Sequence, residues 1–157
     1  MNIKTFAVVL LLLTACQGTQ SQDPSLLSFR MPEGSTLSLN KALEIPAGHT
    51  HAQLQSGQVT TEWDSSLYEI SCRFDVSSFG PRTIEPEVFR IRRTEDGSRR
   101  ASDGGIWVYF SEVHLDSDRG TDVIMLRCQR WGYNLDWHFS VTDMTTALGD
   151  YFTFTYP

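Results

Sequence analysis

The sequence is poor in cysteine and lysine and has no long hydrophobic segment beyond its first residues. Three cysteines in 157 residues are too few for a small disulfide-rich scaffold, and none of them has the Cys-x-x-Cys spacing typical of redox and zinc motifs. The formal net charge of −6 disfavours binding to nucleic acid. Nine phenylalanines, five tyrosines and four tryptophans nevertheless supply enough apolar side chains for a core, which excludes disorder along the whole chain.

Signals of nucleophilic catalysis are scarce as well. The sequence contains no Gly-x-Ser-x-Gly turn, which would present a nucleophilic serine. Its two lysines contrast with eleven arginines, a bias that favours forked hydrogen bonds to carboxylates or phosphates. We therefore expect a protein that is not an enzyme and needs no cofactor.

The N terminus has the pattern of a bacterial export signal. Lys4 provides a short positive head, and the apolar run over residues 6–13 is far shorter than the roughly 20 residues that a helix needs to span a bilayer. The run ends at Leu13-Thr14-Ala15-Cys16, which resembles the lipobox of bacterial lipoproteins. The resemblance implies cleavage before Cys16, acylation of that cysteine and, with Gln17 behind it, sorting to the outer membrane. A plain signal peptide or a single-span anchor is the alternative.

These features divide the chain into three parts. Residues 1–15 are expected to be a lipoprotein signal peptide, residues 16–35 a lipidated tether, and residues 36–157 a single β-domain. The predicted location is the bacterial cell envelope, with the domain facing the periplasm from the outer membrane. The membrane is then contacted through the lipid, since two or more acyl chains anchor stably.

The two remaining cysteines are expected to form a disulfide. Cys72 and Cys128 are left once Cys16 carries the lipid, and two thiols in an oxidising compartment usually pair. Alternation of apolar and polar residues places Cys72 on the apolar face of the segment from Tyr68 to Val76, and Cys128 on that of the segment from Val123 to Gln129. A pair held reduced for metal or redox chemistry is the alternative.

Period-2 alternation dominates the rest of the domain and predicts a mainly β fold. The predicted strands are Leu37–Ile45, Thr50–Val59, Tyr68–Val76, Val88–Arg93, Ile106–Leu115, Val123–Gln129, Leu135–Val141 and Tyr151–Tyr156. One short C-terminal helix is expected over Asp143–Leu148, capped by Thr142 and ended by Gly149. The expected architecture is an antiparallel β-sandwich or a small β-barrel with this helix at one end.

Several strings in the domain resemble a group of small uncharacterised proteobacterial lipoproteins. They are Leu43-x-Ile45-Pro46-Ala47-Gly48, Gln55-x-Gly57, Tyr68-x3-Cys72-x-Phe74, Ile84-x-Pro86-x-x-Phe89 and Ala147-Leu148-Gly149-Asp150-Tyr151-Phe152. Most of residues 43–152 is covered. The landmarks are turns, core positions and a cysteine, so the resemblance implies a shared fold and no particular activity.

Two sets of side chains are weak candidates for metal ligands. His49 and His51 stand two apart in a predicted strand and would project from one face. Asp116, Asp118 and Asp122 alternate in a polar loop with a glycine, as the ligands of calcium loops do. Surface histidines and an ordinary connection between strands are the simpler interpretations, and we expect no bound metal.

Arginine supplies the strongest candidate for partner binding. Arg90, Arg92, Arg99 and Arg100, with Arg93, flank the segment 94–98, which is rich in turn-forming residues. The pattern predicts a basic hairpin tip that would contact lipopolysaccharide phosphates, peptidoglycan carboxylates or an acidic envelope protein. Neutralisation by nearby acidic residues is the alternative. The four tryptophans are candidates for lining a groove that binds sugar or peptide: Trp63, Trp107, Trp131 and Trp137. Positions in the core or at its rim are the alternative.

The leading hypothesis is therefore a lipid-anchored binding or assembly protein of the envelope without catalytic activity. A small metal-dependent envelope enzyme and an inhibitor of a hydrolase are the alternatives.

Overall fold

The computed structural model describes residues 21–101, 104–133 and 138–157. The predicted signal peptide, Cys16 and residues 135–137 of one predicted strand lie outside these ranges. The elements of the described chain are β1 (Thr36–Leu39), β2 (Leu43–Ile45), β3 (His51–Gln55), β4 (Gln58–Thr60), β5 (Ser71–Val76), β6 (Arg82–Ile84), β7 (Glu87–Arg100), β8 (Ile106–Ser117), β9 (Val123–Tyr133), α1 (Val141–Leu148), a 3-10 turn (Gly149–Tyr151) and β10 (Phe152–Thr155).

Eight of the strands form one antiparallel sheet in the order β10-β1-β7-β8-β9-β5-β3-β4. The sheet curls into a half-barrel, so the prediction of a mainly β fold with a short C-terminal helix is confirmed. β2 and β6 form a separate two-stranded sheet. The helix packs against β3, β5 and β10.

The core lies on one face of the large sheet. Its side chains alternate along the strands with polar ones, as period 2 requires. The Phe74 ring is fully buried in the middle, with its centroid 5.5 Å from that of Phe89 and 5.3 Å from that of Phe152. Met144 and Leu148 of α1 are buried in the same cluster, so the helix covers the apolar face and shields it from water.

The predicted disulfide is confirmed. Cys72 of β5 and Cys128 of β9 are direct register partners in the ladder, both are fully buried, and their sulfurs are bonded. Alternation of apolar and polar residues predicted an apolar face for both cysteines. The disulfide can therefore form once β5 and β9 are neighbours in the sheet.

Strand boundaries differ from the predictions where the chain turns. The predicted strand Leu37–Ile45 is divided into β1 and β2. The predicted strand Thr50–Val59 is a hairpin, because Ser56 and Gly57 both adopt positive φ, of 50° and 77°, and reverse the chain between β3 and β4. β6 was not predicted, since three residues are too short for a visible alternation.

The C-terminal region also differs in detail. Residues 138–140 of the predicted strand Leu135–Val141 have no regular structure, and Val141 begins the helix. Ser140, not Thr142, is the N-cap: its side chain accepts from the Asp143 backbone N–H, and the Asp143 carboxylate accepts from the Ser140 N–H. This reciprocal capping box outweighs the single cap expected at Thr142.

The described part of the predicted tether lies against the domain. Phe29 is 6% exposed and its ring centroid lies 5.1 Å from that of Tyr156. The Ile91 N–H donates to the Ser35 carbonyl, and the Thr142 N–H donates to the Pro24 carbonyl. Residues 24–35 therefore belong to the folded body.

Candidate functional site

The face of the sheet opposite the core, which we call the polar face, carries polar residues across six neighbouring strands. Direct register partners form a continuous row over β4, β3, β5, β9, β8 and β7: Thr60, Gln53, Arg73, Arg127, Glu112 and Glu95. The next row along the strands contains His51, Asp75, Met125, His114 and Arg93. Apolar side chains also lie on this face, among them Met125, Trp131 and its register partner Val108.

Like charges stand directly opposite each other in this row. Arg73 is the register partner of Arg127, and Glu112 is the register partner of Glu95. Such pairs destabilise a sheet unless other charges compensate. Compensation comes from ion pairs along the face: Arg73 Nε lies 2.8 Å from Asp75 Oδ1, and Arg127 binds Glu112.

A loop over residues 61–70, the 61–70 loop, arches over the polar face. On one side, the Gln53 amide donates to Ser65 Oγ at 2.8 Å, and Gln55 both donates to the Ser66 carbonyl and accepts from the Ser66 N–H at 2.8 Å. On the other side, the Trp131 N–H donates to the Leu67 carbonyl at 2.7 Å. Since β5 lies between β3 and β9, the loop bridges the sheet across β5.

A cleft of about 280 Å³ opens between the loop and the sheet. Its lining consists of Gln53, Ser71, Arg73, Arg127 and Gln129 from the strands, and Glu62, Trp63, Ser65 and Leu67 from the loop. Trp63 is 95% exposed although it is the largest kind of apolar side chain. An indole held in water beside two arginines is typical of a recognition surface.

Burial perturbs two titratable groups beside the cleft. Desolvation raises the pKa of Asp75, against the attraction of the Arg73 guanidinium. Desolvation also lowers the pKa of His51, and the nearby Arg73 charge acts in the same direction. Both shifts arise because the ionised form of each group is poorly hydrated in its partly buried position.

The structure brings the two predicted histidines together. The rings of His49 and His51 are edge to face with centroids 5.5 Å apart, and His51 Nε2 lies 3.6 Å from Glu62 Oε1. Both line a second, smaller pocket of about 190 Å³, which shares Gln53, Glu62 and Trp63 with the cleft. His49 precedes β3, so the two side chains do not project from one strand as predicted, although their rings are in contact. Metal binding by them stays a prediction.

The three aspartates of the predicted calcium-like loop each face a different arginine. Asp116 lies 3.7 Å from Arg92, Asp118 lies 2.8 Å from Arg90, and Asp122 binds Arg82. Asp122 also accepts from Ser77 Oγ and the Ser78 N–H. These pairs connect Asp116 and Asp118 to β7, and Asp122 to β6 and the segment before it.

Asp122 gives a pH-dependent prediction. Burial opposes ionisation, but hydrogen bonds from Ser78, Arg82 and Ser77 outweigh it and hold the pKa of Asp122 well below its usual 3.8. A depressed folded-state pKa stabilises the fold above the unfolded value, and that stabilisation is lost as the pH falls below 3.8. We expect Asp122→Asn to lower the free energy of unfolding by about 2 kcal/mol at pH 7 and to converge with the parent near pH 2.

Urea unfolding at pH 7, 4 and 2 measures this difference. Asp118→Asn is the control, because that side chain is 68% exposed and surface ion pairs contribute little. A pH-independent gap between Asp122→Asn and the parent would contradict the linkage.

The predicted basic hairpin tip is wrong. Thr94–Ser98 is not a loop but part of β7, paired residue by residue with β8, and beyond the end of β7 the Ala101 N–H donates to the Ile106 carbonyl. Arg90 and Arg100 therefore stand ten positions apart along one strand, about 33 Å at the rise of an extended chain. Arg93 is also paired, with Nη1 2.6 Å from Glu95 Oε1. Partner binding by Arg90, Arg92, Arg99 and Arg100 stays a prediction without the tip that motivated it.

Sequence reasoning missed Arg73, Arg127 and the 61–70 loop as parts of one site. Alternation around Cys72 and Cys128 does place polar residues on the opposite face of each strand. It does not show which strands are neighbours in the sheet. Among the three tryptophans that the structure describes, only Trp63 projects fully into water. Trp107 packs on the core and Trp131 is partly buried. Trp137 lies outside the described residues.

No family model, curated protein or solved structure matches the chain. The resemblance to small envelope lipoproteins therefore stays a prediction. In the described residues no helix is long and apolar enough to cross a membrane.

Proposed function

We propose that this protein is a lipid-anchored binding protein of the bacterial envelope, without catalytic activity, whose ligand lies in the cleft under the 61–70 loop. The observation that carries the proposal is Trp63, which is 95% exposed at the lip of a cleft floored by two arginines. An indole in this position adds nothing to the core. Its apolar surface would be removed from water when a ligand binds.

The lining favours a glycan that carries carboxylates and amides, such as peptidoglycan. Arg73 and Arg127 are side by side, 36% and 35% exposed, and each is paired through one nitrogen. Guanidinium forks match carboxylates in geometry. The amides of Gln53 and Gln129 add donors and acceptors for hydroxyl and amide groups, and the indole of Trp63 offers a flat apolar surface for a sugar ring.

The lipid anchor supports the same proposal. A protein held at the outer membrane through Cys16, with the body folded from residue 24 onward, keeps its cleft within reach of the periplasmic wall. In a Gram-negative host, we expect labelled palmitate to enter the full chain and Cys16→Ser to lose the label. Cys72→Ser should keep it. Label retained by the Cys16 variant would exclude the anchor.

Trp63→Ala tests the cleft. Because the indole is in water, we expect the free energy of unfolding to change by less than about 0.5 kcal/mol. Sedimentation with purified peptidoglycan sacculi, using full-length protein in detergent, should show binding weakened on the order of 30-fold, as expected for loss of an aromatic hot spot. Phe79→Ala is the matched control, because Phe79 is also exposed, at 69%, but does not line the cleft. Equal sedimentation of the Trp63 variant and the parent would refute the proposed site.

A further inference from the structure

We propose that Glu95, Glu112 and His114 form a binding site for a divalent transition-metal cation on the polar face. The three residues come from β7 and β8, whereas the cleft under the 61–70 loop lies over β3, β5 and β9. The proposal does not require glycan binding, although Arg127 both lines the cleft and binds Glu112. It also concerns none of the metal candidates that the sequence suggested.

The backbone register brings the three donors together. Glu95 and Glu112 are direct cross-strand partners, and His114 follows Glu112 by two residues, so it projects from the same face. His114 Nε2 lies 3.6 Å from Glu112 Oε2 and 3.9 Å from Glu95 Oε1. One donor atom from each residue lies within 4.8 Å of the other two. A cation about 2.1 Å from each of its ligands needs donors about 3 to 4 Å apart, so small side-chain rotations suffice.

The electrostatics of the cluster favour a cation between the carboxylates. Two glutamates directly opposite each other repel, and water screens the Glu112 side chain, 13% exposed, less than that of Glu95, 47% exposed. His114 Nε2 faces both carboxylates. A divalent ion between the three donors would attract all of them.

Of the two neighbouring arginines, Arg127 leaves room for the ion, whereas Arg93 has to move aside. Arg127 binds Glu112 through Oε1, and the other oxygen of that carboxylate faces His114. Arg127 thus orients the carboxylate, as outer-shell partners of metal ligands do. Arg93 lies 2.6 Å from Glu95 Oε1 and 3.4 Å from His114 Nε2. Its side chain is 58% exposed, so it can swing into solvent and give up this position.

The donor set identifies the class of ion. One imidazole nitrogen with two carboxylates suits Zn²⁺ and its first-row neighbours, whereas Mg²⁺ and Ca²⁺ prefer oxygen donors alone. Three protein ligands on an open sheet face leave further coordination positions for water.

Calorimetric titration of full-length protein in detergent, without a polyhistidine tag, tests the site with Zn²⁺. We expect one ion per chain at this site, and no competition from equal concentrations of Mg²⁺ or Ca²⁺. Glu112→Gln and His114→Gln should each weaken Zn²⁺ binding at least about tenfold. Arg93→Gln should strengthen it, since the ion no longer has to displace a guanidinium. Unchanged affinity in the Glu112 and His114 variants would overturn the proposal.

Two controls keep the result specific. His49→Asn with His51→Asn removes the other histidine pair and should leave the Zn²⁺ site intact; loss of all binding in that variant would place the ion on the pair and overturn the proposal. Glu95→Gln covers the case in which a substitution at the more buried Glu112 unfolds the chain. Because Glu95 is 47% exposed, this variant should lose Zn²⁺ binding without losing stability. Trp63→Ala should leave Zn²⁺ affinity unchanged, which separates a failure of this site from a failure of the glycan cleft.

Discussion

The variant Cys72→Ala/Cys128→Ala is expected to unfold with a free energy about 4 kcal/mol lower than that of the parent. The disulfide joins residues 56 positions apart, and a cross-link of that span removes much conformational freedom from the unfolded chain. The pair also sits inside the core, between β5 and β9. The loss is a large part of the roughly 5 to 15 kcal/mol that stabilises a typical domain, and should lower the melting temperature by on the order of 10 °C.

Urea unfolding under oxidising conditions measures the effect. The parent unfolded in the presence of a strong reductant is the control, because it loses the bond but keeps both sulfur atoms. The double-alanine variant and the reduced parent should then agree within about 1 kcal/mol, since their difference lies only in packing. A parent whose stability is unaffected by complete reduction would show that the cross-link contributes little.

Gly149→Ala is the second change with a large expected effect. Gly149 ends α1 with φ 60° and ψ −138°, a combination that only glycine adopts easily, and forcing another residue into it costs about 1 to 3 kcal/mol. A Cβ there would also lie 2.5 Å from the Gly57 Cα in the β3–β4 turn. The turn must then move away and break the hydrogen bond from the Gly57 N–H to the Ala147 carbonyl, 3.0 Å long. We expect a total loss of about 4 kcal/mol.

Gly48→Ala separates the two causes. Gly48 also has positive φ, 76°, but nothing lies within 4 Å of its added Cβ. Its substitution should cost about 1 kcal/mol, the backbone penalty alone. Chemical denaturation of both variants gives the comparison. Equal losses at Gly48 and Gly149 would mean that the close approach of the helix end to the hairpin does not matter.

The turn-like segment Thr94–Ser98 shows why local composition misplaced the basic cluster. Glycine, serine and acidic residues predict a loop, but β8 opposite is long and rich in β-forming residues, so it pairs with the whole of β7. Gly97 fits because its register partner Phe110 lays its ring over it: a Cβ at Gly97 would lie 2.6 Å from the Phe110 Cζ. Glycine in a strand marks such close approaches.

An irregularity in β7 also determines which of its residues lie on the polar face. The register shifts between Ile91 and Arg93, as expected of a bulge that adds one residue to one strand. Phe89 is buried in the core before the shift, whereas after it Arg93 and Glu95 stand on the polar face. The candidate metal site exists because of this shift, and no alternation count along the sequence alone can locate it.

Much of the architecture was determined by the sequence itself. Alternation of apolar and polar residues, which depends only on the two-residue period of a strand, was sufficient to predict a mainly β fold and to place Cys72 and Cys128 on core faces. A short helix ending at Gly149 was likewise predicted, because a glycine of this kind acts within a few residues, whereas the cap predicted at Thr142 was wrong. The tertiary structure decided everything that depends on which strands are neighbours: the row that joins Arg73 to Arg127, the meeting of Glu95 with Glu112 and His114, and the position of Trp63 above the sheet. Register between distant strands is set by the packing of the whole core, so these sites arise only when the chain has folded.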